Sequence, residues 1–105
     1  MPEATVFADL LTELEVPEDG TLSRTLYRDD DLQLVGFAFA AGQELTEHAS
    51  ALSVAVQVLS GRLHLTLGDK ETELVAGGWV HMPPRLTHAV RALEPTVMLL
   101  TMVKV

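Results

Sequence analysis

The 105-residue chain has room for one sizeable domain and is too short for two. With 48% hydrophobic and 21% charged residues, its composition predicts a folded globular protein and excludes a disordered one. It contains no cysteine, which excludes disulfides and thiolate metal sites. Fifteen acidic and seven basic residues give a formal net charge of −8, which repels phosphate backbones and argues against a nucleic-acid partner.

No segment has the pattern of a membrane or export signal. The opening MPEATVFADLL lacks a basic segment followed by a long apolar stretch. The longest apolar cluster, VMLLTMV, is far shorter than the roughly 20 residues of a membrane-spanning helix. We therefore expect a soluble cytoplasmic protein without a membrane partner.

Residues 4–15 alone have helical spacing. Phe7, Leu10, Leu11 and Leu14 recur at intervals of three or four, which would place them on one face of a helix. We expect a short N-terminal helix that packs as a cap on the rest of the domain.

Turn-forming residues recur at short intervals through the rest of the chain, as in PEDG (17–20), AAGQ (40–43) and LGDK (67–70). Such regular turns between apolar segments are typical of an all-β sandwich or barrel. In RLHLTL (62–67) leucines alternate with polar residues, which is the period of a strand with one buried face. We predict one all-β domain over residues 1–105, with eight or nine antiparallel strands. The strands are expected near residues 21–28, 32–40, 43–49, 52–60, 62–68, 71–76, 79–83, 86–92 and 96–104.

The segment GQELTEHASALSVAVQVLSG has the spacing of a known motif, which runs from a glycine through His-x-His to a glutamate and a closing glycine. Gly42, His48 and Gly61 match that motif. Ser50 stands at the position of the second histidine, and Val54 stands at that of the glutamate.

The segment GGWVHMPPRLTH has the spacing of a second motif, in which a glycine is followed after five residues by Pro-x-Gly and, after two more, by a histidine. Gly77, Pro83 and His88 match it, and Arg85 replaces the second glycine. Together the two segments resemble the paired motifs of the cupin superfamily.

The resemblance covers about residues 32–104, with the first motif over about 42–61 and the second over about 77–92. It implies a cupin-type jelly-roll β-barrel whose site lies inside the barrel. Metal-binding cupins are expected to use both histidines and the glutamate of the first motif together with the histidine of the second. Of these ligands, the sequence retains His48 and His88.

His81 is the candidate for a third ligand. If residues 84–87 form a four-residue hairpin loop, Pro83 lies opposite His88. His81 then lies opposite Val90 and shares a face with His88. A loop with an odd number of residues would reverse this arrangement. The alternative is that His81 is a half-buried strand residue hydrogen-bonded to a neighbour.

The hairpin geometry would create a three-histidine metal site. His48, His81 and His88 would hold a divalent transition metal, and Ser50 or water would complete the coordination. The identity of the metal, among zinc, iron, nickel, manganese and copper, stays open. It also stays open whether any metal binds, because Ser50 and Val54 replace two of the expected ligands.

Further residues are expected around this pocket. Trp79, two residues from His81, would form an aromatic wall on the same face. Arg85 lies on the turn at the barrel mouth, where its guanidinium either receives a substrate carboxylate or lies in solvent. Met82, Met98 and Met102 are expected to fill the core and not to act as soft metal ligands. The other expected pocket residues are Ser50, Val54 and Val90.

Three functions are consistent with the sequence. A metal on the histidines would support a dioxygenase-like or an isomerase-like or lyase-like enzyme. A metal-free module that binds or senses a small molecule is the alternative, since Val54 in place of a carboxylate makes the cavity more apolar. The third is a structural dimer, because the resemblance to small cupins implies a homodimer and the apolar segment TVMLLTMVKV offers a contact. Whether the protein is an enzyme stays open.

Overall fold

The computed structural model describes residues 2–104, which form nine strands and one short helical turn. All nine predicted strands are present, each within a few residues of its expected bounds. The strands are β1 (Thr21–Arg28), β2 (Leu32–Phe39), β3 (Glu44–His48), β4 (Ser53–Ser60), β5 (Arg62–Leu67), β6 (Lys70–Val75), β7 (Trp79–Met82), β8 (His88–Ala92) and β9 (Thr96–Val103).

The short N-terminal helix is a single 3₁₀ turn, Leu10–Glu13, inside the predicted residues 4–15. Asp9 caps it by accepting a hydrogen bond from the backbone N–H of Leu11 at 3.0 Å. The turn ends because Leu14 is extended, with φ −135° and ψ 123°. Among the residues described, no helix is long and apolar enough to cross a membrane.

The strands form two antiparallel sheets that enclose one core. The five-stranded sheet has the order β1-β2-β9-β4-β7, and the four-stranded sheet has the order β3-β8-β5-β6. Inward-facing residues of β2 through β9 form the hydrophobic core, which lies between the sheets. Its largest fully buried hydrophobic side chains are Phe39, Leu63, Leu65, Met82 and Met98. The architecture is the all-β jelly-roll barrel predicted from the sequence.

The N-terminal segment covers part of the outer face of the five-stranded sheet. Leu14 is only 6% exposed and packs with Ala38 and Val97. It lies directly over Gly36, where an added Cβ would come within 2.4 Å of the Leu14 Cδ1 atom. The absence of a side chain at Gly36 therefore lets the segment pack closely on β2.

The hairpin predicted between β7 and β8 is wrong. β7 pairs with β4 in the five-stranded sheet, whereas β8 pairs with β3 and β5 in the four-stranded sheet. Residues 83–87 therefore cross from one sheet to the other. His81 lies opposite Ala55 and not opposite Val90, which pairs with Leu65.

Candidate functional site

The histidines of the two motifs lie side by side at one end of the barrel. His48 of β3 pairs in register with His88 of β8, and the centroids of the two rings are 4.2 Å apart. The ring planes meet at 62°, edge to face. His88 is buried, at 5% exposure, whereas His48 is exposed. The pair therefore extends from the buried interior of the barrel to its surface.

A β-bulge turns His48 toward the interior. The pairing of β3 with β8 runs from Leu45 opposite Val90 to His48 opposite His88, so β3 has one residue more than its partner in this interval. Strict alternation would place Leu45 and His48, three residues apart, on opposite faces of the sheet. The extra residue restores a common face, and both side chains line the same cavity.

Hydrogen bonds assign the same ring tautomer to both histidines. His48 Nδ1 lies 2.6 Å from the carbonyl oxygen of Thr46, and His88 Nδ1 lies 2.9 Å from that of Leu86. Because a carbonyl oxygen only accepts, Nδ1 carries the proton in each ring, and the lone pair of the neutral imidazole is on Nε2. Neither Nε2 atom has a hydrogen-bond partner among residues 2–104. The site thus offers two imidazole lone pairs.

A small cavity lies between the histidine pair and the core. Its volume is about 40 Å³, close to the ~30 Å³ that one water occupies in the liquid and far below the ~300 Å³ at which pockets for organic ligands begin. Besides the two histidines, its lining is apolar: Phe37, Leu45, Val56, Met82, Val90, Met98 and Leu100. No carboxylate lines the cavity, and nowhere in the described chain do three or more His, Cys, Asp or Glu side chains group to hold a metal ion.

The structure places His81 and Trp79 outside the barrel. On β7 the inward positions are taken by Val80 and Met82, so the residues that alternate with them face outward. His81 Nε2 lies 2.6 Å from the hydroxyl oxygen of Ser53 on the neighbouring β4. The expectation of a third ligand is therefore wrong, and so is the aromatic wall, because Trp79 is 61% exposed.

The two predicted valines lie inside the barrel. Val90 lines the cavity and is 2% exposed. Val54 is also 2% exposed and lies in the core, paired with Met82 on one side and Met102 on the other. Met82 was predicted only to fill space, but it lines the cavity beside the histidines. Its position follows from cross-strand register, which the sequence alone does not give.

Ser50 and Arg85 lie on the two loops that close this end of the barrel. The Ser50 hydroxyl oxygen accepts a hydrogen bond from the backbone N–H of Leu52 at 3.0 Å, which stabilises its own loop. Arg85 is exposed, and its backbone N–H donates to the Ser50 carbonyl oxygen at 2.7 Å. The backbones of the two motif loops are thus directly connected. Neither side chain lines the cavity, so the prediction of Ser50 and Arg85 as pocket residues is wrong.

Two larger depressions lie outside the barrel. One, of about 250 Å³, is on the four-stranded sheet, where His64 Nε2 is 3.0 Å from the Glu71 carboxylate. The other, of about 490 Å³, lies beside the N-terminal segment and is lined by Phe7, Tyr27 and Asp29 among others. Neither contains a motif histidine, so the smaller interior cavity remains the candidate site.

The residues present do not fit the metal centre that the cupin resemblance implies. Catalytic zinc takes three protein ligands and water, and non-haem iron takes two histidines and a carboxylate. Here Val54 replaces the carboxylate and Ser50 replaces a histidine, while His81 faces away. Of the ligands that metal-binding cupins are expected to use, only His48 and His88 line the cavity.

Comparisons with known proteins agree with this architecture. A family model described as cupin domain matches residues 37–104. A conserved protein of unknown function from Streptococcus pyogenes has a structure with a TM-score of 0.86 and 34% identity, over 100% of this chain and 91% of that one. The structure of a cupin superfamily protein from Desulfitobacterium hafniense has a TM-score of 0.85 and 24% identity, over 98% of this chain and 94% of that one. No curated protein matches the sequence. The chain belongs to the cupin superfamily.

Proposed function

We propose that the protein binds one transition-metal ion between His48 and His88, in a two-histidine site that replaces the four-ligand centre of metal-binding cupins. The observation that carries this proposal is the shared tautomer, since each Nδ1 is held by a backbone carbonyl and each Nε2 lone pair is available. Metal-ligating histidines usually donate their other ring N–H in this way, because the bond orients the ring.

The size of the cavity favours an ion over an organic substrate. A volume of about 40 Å³ holds an ion with a solvent molecule. The formal charge of −8 adds a long-range attraction for cations. Both properties support metal binding as the primary function of the site.

Binding, and not a reaction, is the activity proposed. The dioxygenase-like and the isomerase-like or lyase-like activities expected from the sequence used a metal on His48 and His88, with His81 as the candidate for a third ligand. His81 does not supply it, since it is hydrogen-bonded to Ser53 on the outer face of the sheet. An ion on two histidines is more weakly held than a catalytic centre with three protein ligands.

Metal analysis of protein prepared without an affinity tag or chelator tests this proposal. The protein is loaded with zinc, iron, nickel, manganese or copper in turn, desalted and measured by mass spectrometry. Near-stoichiometric binding of at least one of these metals is expected for the wild type and for His81→Ala, and loss of that metal is expected for His88→Ala and His48→Ala. Metal retained by His88→Ala, or absent from the wild type, would contradict the two-histidine site.

A metal-free module that binds or senses a small molecule is the second candidate. The apolar lining and the replacement of the motif glutamate by Val54 favour it. A ligand of this kind would raise the melting temperature of the metal-free protein in a screen of small acids, sugars and aromatics. A wild type that contains no metal and is stabilised by one of these compounds would make this the function of the barrel.

We also infer that the protein forms a homodimer through the outer face of the five-stranded sheet. Trp79, 61% exposed, and Val103, 37% exposed, lie on this face. Exposed aromatic residues are enriched at protein interfaces. A cytoplasmic location stays a prediction from the sequence.

A further inference from the structure

We propose that the ion bound by His48 and His88 is Cu(I), and that the thioether sulfur of Met82 is its third protein ligand. This inference rests on the proposed function and specifies the class of metal. It follows from three properties of the cavity: the position of a sulfur atom, the absence of a carboxylate, and the chemistry of the donors.

Met82 lies next to the position of the missing glutamate. It is on the inward face of β7, is 1% exposed, and lines the cavity together with His48 and His88. Its cross-strand partner is Val54, the residue at the position of the motif glutamate. Directly opposed residues of an antiparallel pair point to the same face. A thioether is therefore directly beside the position that a carboxylate occupies in metal-binding cupins.

The charge of the ion follows from its surroundings. Both imidazoles are neutral when they bind a metal, and no carboxylate lines the cavity. The desolvation energy of an ion grows with the square of its charge, so a dication in this apolar cavity costs about four times as much as a monocation. A monovalent ion is therefore favoured.

The donor atoms select the same kind of ion. Thioether sulfur is a soft ligand that favours Cu(I), and imidazole accommodates copper as well. The chain contains no cysteine, so methionine supplies its only sulfur ligands. Met98 also lines the cavity, but it pairs with Val58, whereas Met82 pairs with Val54 at the position of the motif glutamate. Two imidazole nitrogens and the Met82 thioether form a neutral donor set that matches a soft monovalent cation.

The inference is tested by titrating the tag-free protein with Cu(I) under anaerobic conditions against a chromophoric Cu(I) chelator. The decisive variant is Met82→Leu, which preserves side-chain volume and removes the sulfur. Met102→Leu is the matched control, because Met102 flanks Val54 on the other side and is absent from the cavity lining. One Cu(I) per chain is expected, with affinity reduced by about tenfold or more in Met82→Leu and unchanged in Met102→Leu.

X-ray absorption of the copper-loaded protein provides a second measurement. A sulfur scatterer is expected in the wild type and is expected to disappear in Met82→Leu. Unchanged Cu(I) affinity in that variant, or displacement of Cu(I) by an equal concentration of Zn(II), would overturn the inference. If Zn(II) then binds the wild type but not His88→Ala, the two-histidine site stands and only the identity of the metal and the role of Met82 are wrong.

Discussion

Arg85 has a backbone conformation that the second cupin motif assigns to glycine. Its φ is +70°, in the left-handed region, where a Cβ atom crowds the carbonyl oxygen. Gly61, the closing glycine of the first motif, has a φ of +92°. The motif glycines thus correspond to left-handed backbone positions, which are unfavourable for residues with a Cβ atom. Arg85 replaces one of these glycines, and its backbone has the left-handed conformation all the same.

Replacement of Arg85 by glycine is expected to stabilise the protein. The left-handed conformation costs about 1–2 kcal/mol in a residue with a Cβ, whereas the extra freedom of glycine in the unfolded chain costs about 0.4–1 kcal/mol. The net gain for Arg85→Gly is about 0.5–1 kcal/mol in the free energy of unfolding, measurable by urea denaturation. A decrease would show that the arginine side chain makes a stabilising contact larger than the strain.

Gly61→Ala is the matched control and changes stability in the opposite direction. At this position an added Cβ would lie 2.4 Å from the carbonyl oxygen of Pro95 as well as requiring a positive φ. The backbone cannot remove this contact without moving the β4–β5 turn. We expect destabilisation by about 2 kcal/mol or more.

At the residue scale, the sequence predicted that His48 and His88 lie together but assigned His81 to the wrong face of its strand. The spacing of two motifs was sufficient to bring His48 and His88 together. It was not sufficient for His81, because the face of a strand residue depends on which strand is its partner. The partner of β7 is β4, which precedes it by some 20 residues in the chain. The sequence prediction instead assumed a hairpin between β7 and β8, because consecutive strands are usually neighbours.

At the scale of the elements, the β3 bulge shows what an alternation pattern does not reveal. The turn residues predicted where β3 lies, but an inserted residue reverses the faces that a two-residue period would give beyond it. No residue between Leu45 and His48 is a glycine or a proline that would indicate a bulge. The inward direction of His48 could therefore be inferred only from the motif and not from the strand pattern.

The turn between β1 and β2 is held by one carboxylate. Asp29 accepts hydrogen bonds from the Tyr27 hydroxyl at 2.6 Å and from the backbone N–H groups of Asp31 and Leu32 at 2.8 and 2.9 Å. The Tyr27 hydrogen bond, followed by those from the backbone, lowers the pKa of Asp29 below its ordinary value of 3.8. The same bond raises the pKa of Tyr27 above 10.0.

This pKa shift predicts how the effect of Asp29→Asn depends on pH. A carboxyl group with a lowered pKa stabilises the fold above its unfolded-state pKa and loses that contribution as the pH falls through the folded-state value. The melting temperature of Asp29→Asn should be below that of the wild type above about pH 5, and the difference should shrink below about pH 4. A difference that stays constant down to pH 2 would mean that the carboxylate charge is not involved.

At the scale of the whole molecule, the fold was predictable because two independent signals agreed. Turn residues set the bounds of nine strands, and the motif spacing placed most of those strands in a cupin barrel. The resemblance implied the jelly-roll class but gave no order of the strands, and the hairpin assumed between β7 and β8 is wrong. Outside the resemblance, the helical spacing of residues 4–15 predicted a cap that includes Leu14, but it did not predict that Gly36 is the residue under Leu14.

The proposed homodimer also concerns the whole molecule. Trp79→Asp would place a charge on the exposed face of the edge strand β7, and a charge is costly to bury at an interface. Light scattering at micromolar concentration should give about twice 11.4 kDa for the wild type and a single chain for the variant. Val75→Asp is the control, because Val75 is 52% exposed on β6 of the other sheet. A monomeric wild type would exclude this interface.

The order of the five-stranded sheet determines when the barrel can close during folding. Its middle strand is β9, which lies between β2 and β4 and is the last of the nine strands in chain order. Until Thr96–Val103 is inserted, β1–β2 and β4–β7 are two separate pairs with open edges. Folding therefore depends on contacts between distant parts of the chain, and refolding on a timescale of roughly milliseconds to seconds is expected. An incomplete chain that lacks β9 would expose two unpaired edges and aggregate rather than form a smaller barrel.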